Sequence, residues 1–248
     1  MGSKSIVILR WIKFLIDKTQ EFLFPAFCLG CNVEGIWLCD ACLIKAKVRP
    51  QYFCPVCYKD LPRFGVCSGC SGKSFLDGAV AFAFYKNEIV GEIIRRLKYD
   101  FAEDLGEVIV EIARQALKKS ALDFGGADFA PVGDFIVVPV PLSNKRLKER
   151  GFNQAEIIAK QLSFVLVAPL DSGLLKRIKN TNQQVGLSRE ARGKNLIGAF
   201  EAVSSCRGKN IILVDDVFTT GNTMGECAKV LKLALAEKVF GVALARES

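Results

Sequence analysis

The sequence predicts an α/β protein, a mostly parallel sheet flanked by helices, preceded by a small cysteine-rich metal ribbon. Three observations carry that prediction. From about residue 75 onward, short apolar runs alternate with segments whose apolar residues recur at helical spacing, as expected for strands buried on both faces with helices packed over them. One such unit, Ile211 to Thr223, reads IILVDDVFTTGNT: a buried strand, a loop of small residues and the start of a helix. Upstream, four Cys-x-x-Cys pairs are packed between Cys28 and Cys70.

Composition bounds the rest. A chain of 248 residues, half of them hydrophobic, is globular and long enough for one large domain or two. It contains no histidine, which removes the commonest acid–base side chain and excludes Ser-His-Asp and Cys-His nucleophile schemes. The formal charge of +8 falls to about +4 if the eight clustered cysteines hold two Zn²⁺ as thiolates, so a general affinity for nucleic acid is weakly supported.

In chain order, residues 1–24 form the first predicted element. Leu9, Ile12, Leu15, Ile16, Thr19, Phe22 and Leu23 repeat at helical spacing, and Arg10, Lys13, Asp17 and Lys18 interrupt the apolar run. An amphipathic helix packed on its own protein is expected, with a membrane-surface helix as the alternative. The segment is too charged to span a bilayer and does not have all the parts of a signal peptide, so a cytoplasmic protein with no transmembrane segment is expected.

Residues 25–74 are read as a double zinc ribbon. The pairs Cys28/Cys31, Cys39/Cys42, Cys54/Cys57 and Cys67/Cys70 suit thiolate knuckles better than disulfides, and without histidine each ion must take four of them. Sequential pairing puts Cys28, Cys31, Cys39 and Cys42 on one ion and Cys54, Cys57, Cys67 and Cys70 on the other; the spacing also permits interleaving. Iron–sulfur ligation is the alternative chemistry. Both sites would be closed and structural, in a ribbon with little apolar core of its own, and the ribbon would serve as a structural or docking module.

Residues 75–248 make the α/β domain. Ala79 to Tyr85 reads as a strand, Ile89, Ile93 and Leu97 as one face of a helix, and Glu103 to Lys119 as a second helix with Leu105, Val108, Ile109, Ile112 and Ala116 inward. Arg95, Arg96, Lys98 and Tyr99 read as a solvated helix end. Phe135 to Val140 is the second buried strand, running into Pro139, Val140, Pro141, Leu142 and Ser143, where two prolines stiffen the turn. The cationic run that follows, with Arg146 and Arg150, lies at the C-terminal edge of a strand, where α/β sheets bind ligands, and is read as anion-binding. A strand near Leu174 to Ile178 precedes a long irregular piece up to Phe200. Between Lys176 and Lys194 it carries a net charge of +5, including Arg189 and Arg192, and is read as a lid for a polyanion. The last strand spans Val239 to Ala245.

The chemistry concentrates at Asp215 to Thr223. The helix that begins there points unpaired N–H groups and a partial positive charge into the loop, and Gly221 lets a phosphate approach the backbone. Asp215 and Asp216 can accept hydrogen bonds from vicinal hydroxyls, so the unit suits a ribose 5-phosphate. The alternatives are a Mg²⁺-binding acid pair of another phosphoryl chemistry, or a strand that merely ends in polar residues.

The whole run resembles the phosphoribosyl pyrophosphate (PRPP) loop of type I phosphoribosyltransferases. With the cysteine knuckles, Leu97-Lys98-Tyr99, Val138-Pro139-Val140-Pro141-Leu142, Arg150-Gly151-Phe152-Asn153-Gln154 and the Gln184, Leu187, Arg192, Asn195 and Phe200 spacing, nearly the full chain is similar to the ComF family of competence proteins. That resemblance implies a type I phosphoribosyltransferase fold behind a double zinc ribbon. It implies that Asp215 and Asp216 bind the ribose hydroxyls, that Thr219, Thr220, Gly221, Asn222 and Thr223 bind the 5-phosphate, and that Pro139 to Ser143 bind pyrophosphate. Arg189 and Arg192 would stabilise the leaving group, and Mg²⁺ would accompany PRPP. The implied activity is transfer of phosphoribose to an acceptor that the residues do not name. The non-catalytic alternative is a PRPP- or nucleotide-binding module that docks competence proteins or handles single-stranded DNA.

Overall fold

The computed structural model describes residues 25–99, 105–118, 135–179 and 195–247, which divide into two compact units, Met1–Lys45 and Ala46–Ser248. The predicted helix at 1–24 lies outside the described residues. In the first unit the Cys28–Cys31 knuckle is closed by a bond from Asn32 N to Cys28 O (2.8 Å), and a short helix α1 (Asp40–Lys45) carries Cys42.

The second unit is built on a six-stranded sheet. Its strands are β1 (Gln51–Phe53), β2 (Asp60–Leu61), β3 (Gly78–Phe84), β4 (Phe135–Pro139), β7 (Asn210–Phe218) and β8 (Lys238–Arg246), in the order β2-β1-β3-β8-β7-β4. β3, β8, β7 and β4 run parallel, and β1 and β2 extend the sheet antiparallel. β5 (Leu175–Arg177) and β6 (Phe200–Ala202) form a separate antiparallel pair, so a short strand that the sequence does not predict begins where the irregular piece ends, at Phe200.

The helices are α2 (Glu88–Tyr99), α3 (Gly106–Lys118), α4 (Asn144–Arg150), α5 (Gln154–Leu166) and α6 (Asn222–Leu233). α2 buries Val90, Ile93, Ile94 and Leu97, and α3 buries the five predicted positions that are described there or just before it, Leu105, Val108, Ile109, Ile112 and Ala116. Side chains alternate along a strand, and β7 shows what that does. Ile211 and Leu213 join Cys227 and Leu231 of α6 in one core, whereas Asp216, of the opposite parity, meets Lys98 of α2. α2 and α6 therefore lie on opposite faces of the sheet. Among the described residues, no helix is long and apolar enough to cross a membrane.

The second cysteine cluster belongs to this sheet unit. Cys54 follows β1 directly, and Phe53, fully buried, sets its ring 4.9 Å from Phe218 at the end of β7. Phe64 packs at a tilt against Tyr52 (5.0 Å) and edge-on against Phe240 (5.1 Å). Burying one such ring contributes about 1.5–3 kcal/mol. This ribbon thus has an apolar anchor, which the sequence alone does not show because the anchor is supplied by β7 and β8.

Candidate phosphoribosyl site

β7 does not end at its acid pair, as the residue types suggest. Pairing with β4 stops at Pro139↔Val214, while pairing with β8 continues through Val217↔Ala245 and Phe218↔Arg246. Asp215 and Asp216 therefore sit where β7 has lost one neighbour and keeps the other, which opens one side of the strand while β8 still pairs with the other. The vacated side is partly satisfied locally, since Asp216 N–H donates to Asp215 Oδ1 at 2.9 Å.

The two carboxylates have different surroundings. Burial, and then the Asp216 charge beside it, push the Asp215 carboxyl well above the ordinary carboxylate range, against the pull of the Asp216 N–H and of Lys98. Asp216 accepts an ion pair from Lys98 Nζ at 3.1 Å, with side chains only 23% and 16% exposed. Lys98 is thus a site residue and not part of a solvated helix end; it also lies 6.0 Å from the Tyr85 ring centroid.

Beyond Phe218 the chain turns through Thr219, Thr220 and Gly221 into α6. Gly221 occupies the cap position at φ +64 with no side chain to engage the first-turn amides, so the helix N-terminus faces the loop uncapped by its own residue. A Cβ there would meet the Phe218 ring at 2.7 and 2.9 Å. Glycine is required for its left-handed backbone and for the ring beneath it, a constraint separate from the approach of a phosphate.

The turn after β4 lies beside this loop in the sheet. Val140 N donates to Val214 O (2.8 Å), and Asn153 Nδ2 donates to Val140 O (3.1 Å) while Asn153 Oδ1 caps α5 by accepting from Ala155 N. Ser143 is buried, and its Oγ accepts from Arg146 N at 3.3 Å, capping α4. The cationic run is itself this short helix, closed by Gly151 at φ 79. Arg146 and Arg150, one turn apart, are its half-buried members, while Lys145, Lys148 and Glu149 are exposed.

Arg177, at the end of β5, completes the electropositive side. Its guanidinium stacks over Phe200 at 5.3 Å, and burial, then the Arg146 charge, lower its pKa while Cys227 and Asp215 raise it. Arg146, Arg177 and Asp215 thus share one electrostatic neighbourhood. Next to it, Ile178 N donates to Ala199 O (2.8 Å), and Gly198 N donates to Glu226 Oε1 of α6 (2.9 Å). Arg189 and Arg192 lie outside the described residues.

The cysteines group sequentially. Cys28, Cys31, Cys39 and Cys42 form one set and Cys54, Cys57, Cys67 and Cys70 the other, each with all four Sγ within 4.8 Å of one another. Sγ separations of 3.7 Å for Cys28–Cys39 and Cys31–Cys39 and 3.6 Å for Cys57–Cys67 match the edge of about 3.8 Å that a tetrahedron with Zn–S of about 2.3 Å requires. One ion fits each set.

Known proteins bear on this geometry. Residues 147–247 match the phosphoribosyl transferase domain family. Competence protein F of Haemophilus influenzae is 32% identical over 233 residues, covering 88% of this chain and 96% of that protein. The chain belongs to the ComF family. DNA utilization protein YhgH of Escherichia coli K12 is 39% identical over 221 residues (84% of this chain, 91% of that protein), and competence protein ComFC of Bacillus subtilis is 30% identical over 203 residues (78% and 77%). In this ComF-family chain, a type I phosphoribosyltransferase fold is joined to two four-cysteine ribbons.

Three residues of the candidate site are not placed there by the sequence. The sequence reads Lys98 as helix-end charge, counts Arg177 only among the cations of the stretch from Lys176 to Lys194, and assigns Tyr58 no role. Tyr58 Oη donates to Thr220 O at 2.7 Å. Only the Leu97-Lys98-Tyr99 motif carried a signal for any of them.

Proposed function

We propose that the protein binds PRPP at the open end of β7 and transfers its phosphoribosyl group, with release of pyrophosphate, to an acceptor in DNA uptake or utilisation. The observation that carries this reading is the acid pair at the point where β4 stops covering β7, followed at once by the loop and the bare N-terminus of α6. In this reading Asp215 and Asp216 accept hydrogen bonds from the ribose hydroxyls, with Lys98 holding Asp216 in place. Thr219 to Thr223 and the first turn of α6 receive the 5-phosphate. Pro139 to Ser143, Arg146 and Arg150 receive the pyrophosphate, joined by Arg177, Arg189 and Arg192 as charge develops on the leaving group. Mg²⁺ bound with PRPP would add further charge neutralisation there. No histidine is needed, since positioning and electrostatics do the work. Zn²⁺ in the two four-cysteine sets is structural, and the reaction belongs in the cytoplasm.

The test is calorimetric titration of PRPP with Mg²⁺ into the wild-type protein and Asp216→Asn, beside a pyrophosphate-release assay with a panel of bases and nucleotides. Binding that weakens about tenfold in Asp216→Asn supports the ribose assignment; unchanged affinity removes it. The relatives' names refer to competence and DNA utilisation and not to a reaction product, which favours one second reading: a non-catalytic PRPP-binding module that docks DNA-handling partners. PRPP binding without pyrophosphate release across the panel, together with salt-dependent binding of single-stranded DNA that survives loss of Asp215 and Asp216, is the outcome expected of that module.

A further inference from the structure

We infer that the second four-cysteine centre positions the phosphate loop through Tyr58, so that metal occupancy of Cys54, Cys57, Cys67 and Cys70 is linked to ligand occupancy of the loop. This rests on the ribose-phosphate reading of Thr219 to Thr223. The contact is direct. Tyr58, next after Cys57, donates its hydroxyl to Thr220 O at 2.7 Å, and its ring meets Phe218 edge-on at 6.1 Å. Pro55 O, inside the same knuckle, lies 3.5 Å from where a Cβ on Gly221 would stand. The knuckle therefore forms the outer wall of the loop.

The backbone at Tyr58 makes the contact depend on the metal set. Tyr58 stands at φ 63, in the left-handed region, with its N–H donating to Cys54 O at 2.9 Å. The first knuckle has the same backbone one residue past its second cysteine, with Asn32 at φ 61. Asparagine tolerates that conformation; a tyrosine there is disfavoured and persists only where its surroundings enforce it. The first knuckle thus carries a residue suited to the turn, whereas the second carries one whose side chain reaches the loop. Four thiolates closed on one ion hold the turn, and the turn aims the phenol.

A second brace points the same way. Arg246, 5% exposed at the end of β8, donates to Gln51 Oε1 and Tyr58 O (both 3.3 Å), pairs with Asp60 and lies between the Phe53 and Phe84 rings at 4.7 and 4.8 Å. β8 is also the strand that stays paired with β7 through Phe218, so ribbon, strand end and phosphate loop are fixed to one another. Linkage is reciprocal: if the metal set orders the loop, a ligand that orders the loop must retain the metal.

The experiment uses the full chain loaded with two equivalents of Zn²⁺, a chromogenic zinc chelator and PRPP with Mg²⁺ as probe. Saturating PRPP is expected to slow one of the two zinc-release phases about three- to tenfold, the size of one hydrogen bond. Tyr58→Phe, which keeps the ring and loses only the hydroxyl, should hold both zinc ions, bind PRPP about three- to tenfold more weakly by calorimetry and show no PRPP effect on release. PRPP binding to wild type with both phases unchanged overturns the linkage and leaves the ribose-phosphate reading intact. Equal slowing of both phases, or an undiminished PRPP effect in Tyr58→Phe, also overturns it. Failure of PRPP to bind wild type removes the ribose-phosphate reading and the linkage together.

Discussion

Replacing Gly221 by alanine measures how tightly the loop from Thr219 to Gly221 is built. Gly221 holds φ +64, and a Cβ there would stand 2.7 Å from Phe218 Cζ and 2.9 Å from Cε1. Two penalties add. The left-handed backbone costs a residue with a side chain about 1–2 kcal/mol. The ring cannot move aside freely, because Phe53 and Tyr58 pack on it at 4.9 and 6.1 Å, so overpacking adds about 1–3 kcal/mol. The sum is about 2–5 kcal/mol, and at roughly 2–4 °C per kcal/mol the melting temperature should fall by about 4–20 °C. Gly208→Ala is the control: φ is +69 and nothing lies within 4 Å of its Cβ, so only the backbone penalty applies. Calorimetric or circular-dichroism melts of the two variants side by side decide the matter. Equal losses in both would refute the argument that the Phe218 ring dictates glycine at 221.

Two further outcomes follow from the acid pair. Lys98→Met should cost about 1.5–3 kcal/mol, since it leaves Asp216 without its 3.1 Å partner in a site where neither side chain is more than a quarter exposed. In a double-mutant cycle with Asp216→Asn, urea denaturation should return a coupling of about 1–2 kcal/mol; additive losses would mean the pair contributes nothing. Asp215 sets a pH dependence. Its folded carboxyl titrates well above the ordinary 3.8 because burial and Asp216 favour the neutral form. The stability this group supplies is present in full below its unfolded pKa and is lost as pH rises toward the folded one. Asp215→Asn should therefore gain on wild type in urea midpoints as pH rises from about 5, then level off past the folded pKa; a gap that narrows with pH would contradict the stated environment.

Much of the site was legible because its signals are contiguous. Cys54-x-x-Cys57 and its counterparts lie within single turns, so residue type and spacing declare their chemistry. Asp215 to Thr223 is likewise one uninterrupted strand, loop and helix start, and Phe135 to Pro139 is apolar enough to be read as buried. Lys98, Arg177 and Tyr58 were not legible, because each reaches the acids or the loop from a distant element; Tyr58 and Thr220 are 162 residues apart. The strand pairing of β1, β2 and β6 was hidden as well, since runs of two or three residues carry too few positions for a period of two to show.

Residue types alone determined the ligand inventory: eight thiolates without a histidine, an acid pair, a hydroxyl-rich loop ahead of a helix, and cations in the loops around them. Tertiary structure decided which of these work together. The order β3-β8-β7-β4 and the point where β4 stops set where the acids open, and the attachment of β1 to β3 brings a cysteine knuckle against the loop that leads into α6. The physical reason is one of range. Periodicity and ligand spacing are imposed by neighbouring residues along the chain, whereas strand order and ring-on-loop packing arise from burying apolar surface between segments far apart in sequence.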